Sequence, residues 1–253
     1  MAESLIIPDW PVLAAVRAAF TLRTGGVSRA PFDSLNVGRH VGDESGAVEE
    51  NRRRIAHLLE LPAEPAWLEQ EHGTQVADLD RAASARRADA AVTHCPGRIC
   101  AVQIADCLPV LLAARNGSAV AAAHCGWRGL ASGVLEATVR ALGVAPGELC
   151  AWLGPAIGPA AFEVGEPVRA AFLAQDERAA LGFSANSRGR WQCDLFALAR
   201  QRLAVLGVQG VFGGGLCTYS DPMRFFSFRR DARCGRMAAL VWLTGSGGVG
   251  GRS

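Results

Sequence analysis

Five histidines and eight cysteines carry most of what this chain of 253 residues can do with metals or protons near neutral pH. Three of them stand where a side chain would be put on display. His72, in the run EQEHGTQV, directly precedes a glycine, where the backbone can turn sharply and present the ring. His124 closes the apolar run AVAAAH and leads into CGWRG, a strand end opening into a glycine-flanked turn. Cys107, in ADCLPVLL, sits beside Asp106 at a break in an apolar run, with Pro109, which cannot donate to a sheet ladder, two residues on. Two imidazoles and a thiolate would make three ligands of a catalytic zinc, leaving a fourth position for water or substrate. Their intervals match no local zinc motif. The residues alone therefore leave this reading open beside a plainer one, an inert buried thiol and two unrelated histidines.

The other histidines and cysteines sort differently. His40 and His57 lie in charged, exposed text, and His94-Cys95 with Cys100 lacks the C-x-x-C spacing of a metal knuckle. Cys150, Cys193 and Cys217 read as small core residues. All 26 basic residues are arginine, so Schiff-base chemistry and a P-loop lysine are excluded. Arg23 in TLRTGGVS, Arg128 in GWRG, and Arg229, Arg230 and Arg236 in FSFRRDARCGR lie beside glycines or turns. Guanidinium groups so placed can hold a phosphate or carboxylate in bidentate fashion, and each reads equally well as an ordinary surface charge.

The elements that must position these groups follow from periodicity. Asp43 to Leu61 opens with capping residues and repeats apolar side chains at helical spacing, predicting a surface helix whose Arg52-Arg53-Arg54 run faces solvent. Further helices are expected at Leu130 to Leu142, Pro167 to Gln175 and Cys193 to Leu206. Strands are expected at Ile99 to Ala105, Val110 to Ala114 and Ala119 to Ala123, with the Asn116-Gly117-Ser118 turn making a hairpin of buried strands and Pro109 ending a ladder. Leu149 to Leu153, Val208 to Phe212 and Met237 to Leu243 complete the set. Hairpins mixed with helices predict an α+β chain with mixed sheets. Residues 1–244 are expected to form one domain, and 245–253, TGSGGVGGRS without its first residue, a flexible glycine-rich tail. Gly245, Gly247 and Gly250 formally spell G-x-G-x-x-G, but no helix can follow them.

A net charge of +2, from 26 basic and 24 acidic residues, is too balanced for a nucleic-acid or anionic-membrane binder. Eight cysteines in 253 residues fall far below the ~8–10% of a disulfide scaffold. No basic stretch precedes the first apolar residues, and no apolar run reaches ~20 residues, so a cytoplasmic location with reduced thiols is expected.

Taken in order from about residue 21 to 243, the segments TLRTGGVS, SLNVG, HGTQV, ADAAVT, ADCLPVLL, AAAHCGWRGL, LGPAIGP, FEVG, SDPMRFFSFRRD and GRMAALVWL resemble the YfiH-like family, also called the laccase-domain or multicopper polyphenol oxidase family and described as purine nucleoside phosphorylases. The resemblance implies a single-domain α+β fold in four layers, α/β/β/α, with mixed sheets. It implies a zinc site, with copper as the alternative, on His72, Cys107 and His124. It implies phosphorolysis of adenosine, inosine, guanosine and methylthioadenosine, deamination of adenosine, and phenol oxidation. Nucleoside and phosphate would meet Arg23, Asn36 (of SLNVG, before Val37), Arg128, Arg229 and Arg230, and the protein would be a monomer or weak dimer. Cys125, Glu71, Ala161 and Cys234 depart from the family pattern, the first two beside proposed ligands.

On this reading phosphorolysis needs a positioned phosphate and charge stabilisation of the departing purine, whereas deamination is the step served by a metal-activated water. Asp106 would orient an imidazole or act in acid–base catalysis. Three rival readings stand beside it. They are a cysteine hydrolase or amidase acting on peptidoglycan precursors, with Cys107 as nucleophile, a copper-dependent polyphenol oxidase, and a non-catalytic metal-binding partner module.

Overall fold

A computed structural model describes residues 4–81 and 87–245. All of the expected tail except Gly245 lies outside the described residues. In chain order the strands are β1 (Leu5–Ile6), β2 (Val16–Thr21), β3 (Ala66–Trp67), β4 (Val76–Asp78), β5 (Ala90–Thr93), β6 (Ile99–Ile104), β7 (Leu108–Ala114), β8 (Val120–Cys125), β9 (Leu149–Leu153), β10 (Glu163–Val164), β11 (Phe183–Ala185), β12 (Trp191–Cys193), β13 (Gly210–Gly213) and β14 (Met237–Leu243). The α-helices are α1 (Ser45–Leu58), α2 (Trp127–Ser132), α3 (Val134–Leu142), α4 (Glu166–Leu173), α5 (Leu195–Leu206) and α6 (Phe228–Asp231).

Two mixed sheets lie face to face. One runs β1-β2-β14-β6-β3 and the other β13-β9-β7-β8-β5-β4, with a small β10-β12-β11 sheet beside them. Strand alternation builds the layers. In β14, Met237, Ala239 and Val241 face the core between the sheets, while Ala238, Leu240 and Trp242 pack with Ile55 of α1 on the outer side. In β7, Leu111 and Ala113 face between the sheets, and Leu108, Val110 and Leu112 pack against α3 and α5 residues such as Leu135, Leu142 and Leu203. Helix, sheet, sheet and helix thus stack in four layers, an α+β fold as the sequence predicts.

The chain crosses from the first sheet to the second between β6 and β7, through Ala105-Asp106-Cys107. Asp106 takes φ +83° there, a left-handed conformation that costs a non-glycine residue energy and clusters at functional sites. Pro109 does not end the ladder, because β7 already begins at Leu108 and pairs Pro109 with His124. The Pro109 carbonyl accepts from Gly154 N just past the end of β9, so the missing proline N–H falls where the β7–β9 ladder runs out. The Asn-Gly-Ser turn joins β7 to β8 as the expected antiparallel hairpin.

Other expectations shift by local chemistry. Gly133, at φ +100°, splits the expected 130–142 helix into α2 and α3. Cys193 belongs to β12, and Asp194 caps α5 by accepting from Ala197 N at 3.0 Å. Arg52 is not on a solvated face: it is buried, stacks over the Trp67 ring at 4.1 Å and donates twice to the Val37 carbonyl.

Candidate metal centre and cavity

His72, Cys107 and His124 come together although 52 residues separate the first from the last, their ligand atoms all within 4.8 Å of one another. His124, the last residue but one of β8, is on the face turned towards the first sheet, Cys107 closes the crossover, and His72 lies in the turn after β3 at φ +60°. Cys107 Sγ is 3.7 Å from His72 Nε2, and the two imidazoles meet edge to face with centroids 4.8 Å apart. Two donors on one tetrahedral zinc, at about 2.0 and 2.3 Å from it, stand about 3.5 Å apart. The cluster therefore suits an ion after a small contraction, and an imidazole–thiolate donor set suits zinc.

Asp89, 1% exposed at the start of β5, organises this cluster. Its Oδ1 lies 2.8 Å from His124 Nδ1 and accepts from His72 N, while Oδ2 accepts from Gly73 N and Glu71 N. One carboxylate thus fixes the His124 ring, leaving Nε2 towards the cluster, and pins the loop that carries His72. Asp106 has other partners: Oδ1 accepts from Thr218 Oγ1 at 2.6 Å, and Oδ2 from Ser227 Oγ and Arg229 N. The imidazole partner is therefore Asp89 rather than Asp106, which instead ties the crossover to the segment bearing Arg229.

Glycines make the room. A Cβ on Gly126 would stand 2.8 Å from His72 Cδ2 and 2.9 Å from Cys107 Sγ, and one on Gly129 would stand 2.9 Å from the Gly73 carbonyl. The G-W-R-G run is thus what allows α2 to close against the ligands.

Charge is redistributed within the cluster. Burial opposes ionisation of Cys107, but the charge of His124 and hydrogen bonds from both histidines outweigh it and bring the thiol down to about 6. Burial likewise opposes protonation of His124, yet the neighbouring thiolate and Asp89 raise it to about 9. Asp89 itself is held low by His124 and the backbone donors against the pull of burial.

A cavity of about 400 Å³ opens over the cluster. Trp127, Phe162 and Phe228 line it, and each carries a lining guanidinium over its ring: Arg128 at 4.4 Å, Arg229 at 5.1 Å and Arg236 at 5.9 Å. Gln70, Gln103 and His40 complete its polar wall. Burial and the positive charges of Arg236 and Arg52 lower the His40 pKa.

Of the residues expected to bind substrate, Arg128 and Arg229 line the cavity and three do not. Arg23 is consumed by Asp33, the Pro222 carbonyl and the Phe226 ring. Arg230 is spent on the carbonyls of Thr218, Tyr219 and Phe225 and on Asp231. Asn36 is buried, bridging Gly38, Asp43 and Arg236 N. These three hold loops rather than ligands. His40 and Arg236 take their place at the cavity. Asp89 and Gln103 escape the sequence reading altogether, although Asp89 shows the same signal as Asp106, a carboxylate at the mouth of an apolar strand.

Residues 17–244 match the family described as "Multi-copper polyphenol oxidoreductase laccase". The chain is 56% identical over 240 residues to a protein of Pseudomonas aeruginosa named purine nucleoside phosphorylase, covering 94% of this chain and 98% of that one. It is 51% identical to the purine nucleoside phosphorylase YfiH of Escherichia coli, covering 95% and 99%. The crystal structure of the Neisseria meningitidis protein NMB0706 superposes with a TM-score of 0.92 at 47% identity, over 96% of this chain and 100% of that chain. With a family match across nearly its whole length, relatives above half identity and a shared fold, the chain belongs to the YfiH-like, laccase-domain family.

Proposed function

We propose that this protein is a purine nucleoside phosphorylase that also deaminates adenosine and carries zinc on His72, Cys107 and His124. The observation that carries the reading is the cavity wall, three arginines stacked on three aromatic rings directly over the ligand cluster. Flat rings give a purine its stacking surface, and guanidinium forks give phosphate its bidentate partners. About 400 Å³ falls within the ~300–1,000 Å³ of small-molecule sites. The names of the Pseudomonas and Escherichia relatives support the same substrate class.

In phosphorolysis a phosphate oxygen bonds to ribose C1′ as the C1′–N9 bond breaks, and the proton of hydrogen phosphate ends on the departing purine. The chain's task is to align the two reactants and stabilise charge. Arg128, Arg229 and Arg236 hold and orient the phosphate, and Asp106, through Arg229 N, fixes one of them. Trp127 and Phe162 hold the base and exclude water from its face. When bound, zinc supplies a Lewis acid and a water acidic enough to act as a nucleophile near neutral pH, the chemistry deamination requires. Among the described residues, His72, Cys107 and His124 form the sole group of three or more potential ligands, which favours one zinc over a multicopper centre.

The test joins metal analysis of protein purified without chelators to a phosphate-dependent adenosine assay. One zinc per chain and adenine release that requires phosphate are expected. Release independent of phosphate, or none at all, overturns the reading. A second reading is favoured by the low-pKa Cys107 beside His124 and Asp89, the order of a nucleophile, base and orienting carboxylate. That hydrolase would turn over an amide with the metal stripped and would form an acyl-enzyme on Cys107.

A further inference from the structure

Moving a proton from hydrogen phosphate to a departing purine calls for a group that takes it up and gives it back. Most polar side chains lining the cavity are unfit for that. The guanidinium groups of Arg128, Arg229 and Arg236 only donate and keep their charge at any working pH. Gln70 and Gln103 carry amides, which do not titrate, and Gln70 is spent on the Gln103 backbone, its Oε1 accepting from N at 2.7 Å and its Nε2 donating to the carbonyl at 2.9 Å. Asp106 accepts from Thr218 Oγ1, Ser227 Oγ and Arg229 N, and a proton on it would break one of those ties. His72, Cys107 and His124 form the ligand cluster.

His40 is what remains. It lines the cavity from the short helical turn Arg39–Val41, which Gly42 closes at φ +88°, and its ring makes no hydrogen bond among the described residues. The turn is tied to the segment that bears Arg236. Val37 N donates to the Arg236 carbonyl at 3.0 Å, Arg236 N donates to Asn36 Oδ1 at 2.8 Å, and a Cβ on Gly38 would stand 2.7 Å from Arg236 Cγ. His40 is thus held near one of the guanidinium groups that meet phosphate. Burial, then the charges of Arg236, Arg52 and His124, keep its pKa below the ordinary value, so the ring rests neutral near pH 7. One ring nitrogen is then an unoccupied acceptor and the other a donor.

We propose that His40 is the acid–base residue of phosphorolysis, taking the proton of hydrogen phosphate and delivering it to the departing purine. The inference rests on the phosphorylase reading above. A phosphate oxygen bonds to C1′ as the C1′–N9 bond breaks and its electron pair goes to the base. The P–OH proton passes to the free nitrogen of His40, and a proton of the resulting imidazolium passes to the purine, so the ring ends neutral as it began. The positive charges around it make that imidazolium a stronger acid and favour the second transfer.

The experiment measures kcat/KM at saturating phosphate for the wild type, His40→Gln and His40→Asn, each purified without chelators and assayed for zinc. The substrates are purine ribonucleosides whose bases differ in acidity, from adenosine to 7-methylguanosine, whose cationic base departs without needing a proton. Both variants are expected to lose about 10²–10⁴-fold on adenosine and less than about tenfold on 7-methylguanosine, with zinc content unchanged. Across the series their rates then depend more steeply on the acidity of the leaving base than those of the wild type. A residue that only shapes the cavity would slow every substrate alike. A loss of one size across the series, with or without loss of zinc, or no loss on adenosine, overturns the proposal. A wild type that releases base without phosphate, or none at all, overturns the phosphorylase reading and this inference with it, so the wild type alone tells the two failures apart.

Discussion

Asp89 accepts from four groups, and each tie does something separate: one aims an imidazole, three fix the loop that brings in the other imidazole. Asparagine has a single carbonyl acceptor and would turn its NH₂ towards N–H donors, so Asp89→Asn is expected to weaken zinc binding about 10–100-fold in a competition titration while the chain stays folded. A Kd within threefold of wild type would show that the carboxylate does not organise the cluster. Cys107 makes a pH-dependent prediction. Its thiol is brought to about 6 and His124 raised to about 9, so metal-free protein holds a thiolate–imidazolium pair between those values. As pH falls through about 6 the thiolate is lost, and as pH rises through about 9 the imidazolium is lost, so the pair stabilises the fold most within that window. Alkylation of Cys107 in the metal-free protein, followed by mass spectrometry, is expected to show a midpoint near pH 6, whereas buried Cys100 and Cys125, pushed up by burial, stay unlabelled. A midpoint above 8 for Cys107 would contradict the coupling.

At the scale of elements, α2 and the crossover decide whether the ligands can meet. Gly126→Ala places a methyl 2.8 Å from His72 and 2.9 Å from Cys107, and is expected to lower zinc affinity at least tenfold with little change in far-ultraviolet circular dichroism. This scale also shows what the sequence makes legible. The regular apolar spacing of α1 and α5 and the all-apolar runs of β9 and β14 mark those elements directly, because their periodicity is set by the core they touch. The α2–α3 break is harder, since Gly133 interrupts a pattern whose apolar spacing continues on both sides. β5 and the three short strands of the small sheet leave too few residues for a pattern to stand out, and β2, though six residues long, has its apolar run interrupted by the exposed Arg17. Arg52 shows the other limit: a cation whose Trp67 platform and Val37 acceptor come from distant segments looks in sequence like any member of a charged run. The ligand residues could be picked out by type and by their turns, but Asp89 and Gln103 act through partners that only the fold supplies.

Across the whole molecule the two sheets share one core, to which β6, β14, β7 and β8 all contribute. Leu111, fully buried within it, is expected to cost about 2–5 kcal/mol when replaced by alanine, measured by chemical denaturation. Zinc at a hundred times its Kd is expected to add about 2.7 kcal/mol, and a chelator to remove it, as a shift of the same transition. An unchanged Tm on chelation would mean that the ion binds folded and unfolded chains alike. The passage of the chain from one sheet to the other at Ala105-Asp106-Cys107 has a kinetic meaning as well. Cys107 is supplied from the junction, His124 from the second sheet, and His72 from the loop after a strand of the first. Parting the sheets pulls the three ligands in different directions, so the rate at which an excess of chelator draws off the ion becomes a clock for that opening, ticking at a single place in the molecule and legible long before any unfolding shows.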